Sequence, residues 1–91
     1  MQDLYKNNKQ LLQNTIAATI KTLRFKQNKS ISLISDEIGL AKSIWADLEK
    51  GIKDPQFSTL WKISEALGVP LSAVIIEIEK QMPVNFSLLD N

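Results

Sequence analysis

Ninety-one residues with 44% hydrophobic and 23% charged side chains fit one small globular domain with a single core, without room for a separate catalytic or ligand-sensing module. The absence of His and Cys removes the usual zinc, haem, iron–sulfur and thiol ligands and the commonest proton shuttle, so neither an enzyme nor a bound cofactor or metal is expected. The formal charge of +1 hides an asymmetry: residues 1–30 carry Lys6, Lys9, Lys21, Arg24, Lys26 and Lys29 against Asp3, a balance of +5, and residues 31–91 carry −4.

Apolar residues recur at helical spacing along most of the chain, which predicts an all-α fold of five helices. Residues 1–10 are polar and are expected to form a flexible N-terminal segment, and no apolar run approaches the ~18 residues that span a bilayer. A cytoplasmic location follows as the expectation. The first helix is predicted over Leu11–Lys26, with Leu12, Ile16, Ile20 and Leu23 stacked on one face. Asn28 suits the left-handed conformation that closes a helix, and Ser30 offers a side-chain oxygen to the free amides of the next one. That second helix turns Ile34, Ser35 and Ile38 inward and stops at Gly39. A third is predicted over Ala41–Lys50 before Gly51 and Asp54-Pro55. A fourth, capped by Ser58, carries Leu60, Ile63 and Leu67 up to Gly68. A fifth starts at Pro70 and carries Leu71, Val74, Ile75 and Ile78. Residues 11–80 form the domain, and residues 81–91 form a tail whose Phe86, Leu88 and Leu89 suit a dimer contact, as do Tyr5, Leu11 and Met82.

The third helix repays a closer look. With Lys42 set at zero and about 100° per residue, Ala46, Lys50, Ser43 and Asp47 fall between about 40° and 140°. Ala41, Ile44, Trp45 and Leu48 cluster between about 200° and 300° on the same reckoning and are expected to face inward. Two short amphipathic helices over residues 30–50, joined around a glycine, make a helix-turn-helix whose second member can enter a DNA major groove. The same geometry also occurs in bundles that bind no DNA.

From Ile20 to Val74 the chain resembles, without a gap, the Cro-type, lambda-repressor-like (XRE-type) helix-turn-helix family. The resemblance is carried by Ile20-x-x-Leu23-Arg24, by Ser30-x-x-x-Ile34-Ser35-x-x-Ile38-Gly39, and by Ile44-Trp45-x-x-Leu48-Glu49-Lys50-Gly51. It continues through Asp54-Pro55-x-x-x-Thr59-Leu60-x-x-Ile63-x-x-Ala66-Leu67-Gly68-Val69. It implies a five-helix DNA-binding domain in which Lys42, Ser43, Ala46 and Asp47 face base edges. Lys42 suits guanine O6 or N7, and Asp47 suits the N4 amine of cytosine. By the same resemblance Ser30 and Lys50 contact backbone phosphate and Arg24 and Glu49 form an ion pair between the first and third helices; Lys29, with Lys21 and Lys26, is expected to add sequence-independent attraction to phosphate.

Two departures stand out. Ile31 occupies a position where the family often has a phosphate-binding Gln, and Leu33 replaces the acidic residue that would complete a capping box with Ser30, so an apolar strip is expected beside the DNA face. The implied function is a sequence-specific transcriptional regulator, a repressor, binding double-stranded DNA as a homodimer on a two-fold operator. The alternative is an antitoxin-like or protein-interaction module with weak DNA binding and a small protein partner such as a toxin.

Overall fold

A computed structural model describes residues 2–89, with side chains from residue 7 onward, so the side chain of Tyr5 lies outside the described residues, as do Asp90 and Asn91 of the tail. Five helices follow in order: α1 Gln2–Lys26, α2 Ile31–Ile38, α3 Lys42–Glu49, α4 Phe57–Ala66 and α5 Leu71–Lys80. The described residues contain no strand. α1 is the spine, packing against α3 and α5; α2 packs on α3 and α4, and α4 on α5.

The core is one cluster assembled from all five helices: Ile16 and Ile20 of α1, Ile34 of α2, Trp45 and Leu48 of α3, Leu60 and Ile63 of α4, Val74 and Ile78 of α5, with Leu67 at the end of α4. Each pair within a helix sits three or four residues apart, the spacing that puts both on one stripe. Two of the four buried hydroxyls bond within their own helix, Thr15 donating to the Leu11 carbonyl at 2.8 Å and Ser64 to that of Trp61 at 2.6 Å, and Thr19 accepts from Gln81 Nε2 at 3.2 Å. Ser35, fully buried on α2, has no partner among the described residues. An unpaired buried hydroxyl costs about 1–3 kcal/mol, so Ser35→Ala is expected to raise stability by about 1 kcal/mol in urea unfolding. Any loss of stability would contradict this account.

The helix stops are local chemistry. After α1, α2, α3 and α4 the chain passes through a left-handed residue, Asn28, Gly39, Gly51 and Gly68 respectively. At α2 the Leu40 amide returns to the Ser35 carbonyl (2.9 Å) and the Gly39 amide to that of Asp36 (3.3 Å); at α3 the Ile52 amide returns to Asp47 (3.1 Å) and the Gly51 amide to Leu48 (3.2 Å). These paired bonds satisfy carbonyls that would otherwise end the helix unpaired. Gly51 also permits close approach, since a Cβ there would lie 2.5 Å from Asn14 Oδ1 on α1.

Three expectations need correction. α1 starts at Gln2 rather than Leu11, so residues 2–10 continue the helix instead of forming a separate flexible segment. Side chains there are tied to the rest of the fold: Asn8 Nδ2 donates to the Ser87 carbonyl (2.8 Å), and Gln10 Nε2 to Asn14 Oδ1 (2.8 Å) and the Gly51 carbonyl (3.2 Å). α4 starts at Phe57, capped in position by Gln56 without a side-chain bond, and Ser58 lies inside it. Phe57 and Trp61, one turn apart, meet edge to face at 6.2 Å, a contact that supports the first turn from outside the core. Ile44, expected inside, is 41% exposed. On α5, Val74 and Ile78 belong to the protein's own core and Ile75 packs against it, so Ile76 is the one large apolar side chain of that helix left well exposed.

Candidate nucleic-acid interface

The pair α2 and α3, joined by the three residues Gly39, Leu40 and Ala41, is held from behind by α1. Arg24 reaches from the last turn of α1 to Glu49 at the end of α3, donating through Nε to Oε2 at 2.5 Å and through Nη2 to Oε1 at 2.9 Å. Its remaining nitrogen, Nη1, donates to the Lys29 carbonyl at 2.8 Å in the turn that leads into α2. Trp45 Nε1 adds a third bond to Glu49, at 2.5 Å to Oε2. One guanidinium thus fixes the end of α3 and the start of α2 together. The two charged side chains are only 8% and 6% exposed.

Burial disfavours charge on Glu49, but the bonds from Arg24 and Trp45 outweigh it and hold the carboxyl below the usual carboxylate range. The bond to Glu49 correspondingly raises Arg24. Because the folded value of Glu49 lies below the unfolded one, its contribution to stability is complete above about pH 4.3 and is lost as pH falls through the folded value. Below about pH 4.3, Glu49→Gln is therefore expected to lose less further stability than the natural protein. Parallel acid limbs in urea unfolding at pH 3–5 would exclude this.

Opposite the clamp lies the solvent face of α3. Lys42, Ser43 and Lys50 are exposed and Ala46 and Asp47 half-exposed, while Trp45 and Leu48 are buried on the other side. Among the described residues no cation pairs with Asp47 and no carboxylate with Lys42 or Lys50. At α2 the Ser30 side chain accepts from the Leu33 amide at 3.0 Å and keeps its hydroxyl proton for an external acceptor. The first turns of α2 and α3 contain no acidic residue, so the partial positive charge of both N-termini is uncompensated.

Lys29 departs from this picture. Its ammonium is spent inside the protein, on Glu37 at 2.8 Å and on the Ala66 carbonyl at 3.3 Å. The apolar strip is also half what the sequence suggested: Leu33 is 49% exposed, whereas Ile31 packs against the core. Two residues at the site escape the sequence reading. Trp45 reads as core alone, and only its spacing of four from Glu49 signals a hydrogen bond along the helix; Ile44 is hidden by the helical wheel.

The sequence profile of the family described as Helix-turn-helix matches residues 20–74, more than half of the chain. The chain belongs to that helix-turn-helix family. It is 31% identical over 68 residues to the HTH-type transcriptional regulator SutR of Escherichia coli, a match covering 75% of this chain and 38% of that one. It is 30% identical over 63 residues to the immunity repressor protein of Bacillus phage phi105, covering 69% and 44%. To the transcriptional regulator ClgR of Mycobacterium tuberculosis it is 26% identical over 72 residues, covering 79% and 64%. This helix-turn-helix chain therefore spans 38% to 64% of the length of these curated relatives. The fold is shared with the crystal structure of the clp gene regulator ClgR from C. glutamicum, at a TM-score of 0.74 and 20% identity over 81% of this chain and 96% of that one. It is also shared with an HTH_3 family transcriptional regulator from Vibrio cholerae, at a TM-score of 0.69 and 28% identity over 75% and 38%. No single helix among the described residues is long and apolar enough to cross a membrane.

Proposed function

We propose that this chain is the DNA-reading domain of a sequence-specific transcriptional regulator that binds double-stranded DNA through α3. The observation that carries the reading is the division of α3 into a back clamped by Arg24, Glu49 and Trp45 and a front that presents Lys42, Ser43, Ala46 and Asp47 to solvent. Lys42 donates to guanine, Asp47 accepts from cytosine, and Ala46 lets the helix approach the bases closely. Ser30 and Lys50 contact the flanking phosphates, Ser30 through its unused hydroxyl proton and Lys50 as a point charge. Lys29 is left out of the contact set because its charge is already paired. The clamp does not touch DNA; it orients the helix that does. Repression is the sign of control favoured by the phage immunity repressor among the relatives. The reading puts the protein in the cytoplasm, together with the DNA it reads.

The domain works as a homodimer, placing two copies of α3 on half-sites about one helical turn, ~34 Å, apart. Ile76 on α5 and Val84, Leu88 and Leu89 in the tail are the exposed large apolar side chains available for self-association. Selection from a random duplex library, followed by binding assays at two salt concentrations, tests the reading. Lys42→Ala should weaken the preferred site by about 1–3 kcal/mol and flatten the preference at one base, whereas Lys50→Ala should weaken all sequences equally and reduce the salt slope by about 1. Equal loss on every sequence for both variants would refute these roles. The exposed pair Phe57 and Trp61, at 64% and 52%, together with Ile52 at 62%, favours a second reading as a protein-binding module, an antitoxin with a small toxin partner. Failure of library selection to enrich any sequence would shift the balance to it.

A further inference from the structure

Ile44 is an anomaly on the surface of α3. At 41% exposure it lies outside the buried core cluster and keeps a large part of its apolar side chain open to solvent. Helix propensity does not ask for it, because a β-branched side chain in a helix loses χ1 freedom that Ala, Lys or Leu would keep. On the helical wheel the buried arc starts with Leu48 at about 240° and runs through Trp45 and Glu49 to about 340°. The open arc is therefore centred near Ser43 at about 100°, with Lys42 on one edge at zero and Ile44 on the other at about 200°. A groove that admits Lys42 on one side of Ser43 admits Ile44 on the other. Asp47, at about 140°, lies between Ser43 and Ile44 and one turn further along the axis.

We infer that Ile44 is a specificity-determining residue that packs against the 5-methyl group of a thymine in the major groove, next to the cytosine read by Asp47. The inference rests on the DNA-reading function proposed above. Thymine alone among the DNA bases offers a methyl group in that groove, and apolar side chains are the groups that recognise it. Residues 44 and 47 are displaced by ~4.5 Å along the helix axis, which is of the same order as the ~3.4 Å step between base pairs and brings the two side chains within reach of adjoining base pairs. An aliphatic edge facing the methyl and a carboxylate facing an amine give one flank of α3 a preference for adjoining thymine and cytosine.

The test uses the full chain and the duplex that emerges from library selection. Each thymine of that duplex is replaced in turn by deoxyuridine, which removes the methyl group and nothing else. At one thymine the natural protein is expected to bind about fourfold more weakly, the equivalent of one buried methyl group. Ile44→Ala should bind the thymine duplex with a similar loss and show no further response to deoxyuridine, while circular dichroism shows it folded. A natural protein indifferent to deoxyuridine at every position overturns the role of Ile44 and leaves the DNA-reading function standing, as does an Ile44→Ala variant that keeps the full deoxyuridine response. A library from which no sequence is enriched sinks both.

Discussion

Replacing Glu49 by Ala is expected to cost about 3–5 kcal/mol, because it strands a buried Arg24 guanidinium and a buried Trp45 N–H at once. For a domain of this size each kcal/mol lowers the midpoint by about 4–8 °C, so thermal unfolding followed by circular dichroism should shift by at least ~12 °C. The large figure reflects an orphaned charge rather than the net worth of the pair. An apolar double replacement, Arg24→Met with Glu49→Leu, removes both charges together and should be less destabilised than either single variant. It should nonetheless lose DNA affinity, since Arg24 also holds the Lys29 carbonyl at the start of α2. A single variant within ~1 kcal/mol of the natural protein would mean that the pair behaves like a surface ion pair, against its burial.

Trp45→Ala should be comparably severe, at about 3–5 kcal/mol in urea unfolding. Trp45 is fully buried, the largest such side chain in the protein, and it lies where α1, α2 and α3 meet the core cluster. Truncation leaves a cavity that α3 can fill only by moving toward α1, which would displace the face carrying Lys42 and Asp47. Trp45→Phe separates the two roles of the indole: it keeps most of the ring and deletes the N–H, so its cost reads out the bond to Glu49. A hydrogen bond to a charged acceptor contributes about 1.5–3 kcal/mol. Equal stability of the Phe variant and the natural protein would assign the whole effect to packing.

What the sequence made legible and what it concealed follow from the range of the interactions concerned. Asn28, Gly39 and Gly68 mark helix stops because the left-handed conformation is a property of one residue, and the structure has all three at positive φ. Ser30 marks the start of α2 for a similarly local reason, and its bond to the Leu33 amide lies three residues away. The N-terminal extension of α1 was hidden because residues 2–10 show little apolar periodicity; contacts from Asn8 to Ser87 and from Gln10 to Gly51, distant in sequence, anchor it. The start of α4 is not legible because Ser58 is a good capping residue in isolation and the Phe57 contact with Trp61 is not visible to a capping rule. On α3 the wheel ordered the residues correctly but not the width of the buried arc, which depends on how close α1 and α2 come. Ile44 fell on the wrong side of that edge.

Gly51 leaves no space for a side chain. A methyl group at this position would collide with Asn14, whose amide oxygen is itself held by Gln10, so the spacing between α1 and the end of α3 is set by backbone on one side and a braced side chain on the other. The outward positions 42, 43, 44, 46 and 47 bear no part of that brace, nor of the Arg24 clamp. On the DNA-reading role proposed above, they form an exchangeable lettering on a fixed die: altering those side chains alone is expected to change the preferred sequence and leave the scaffold behind them in place.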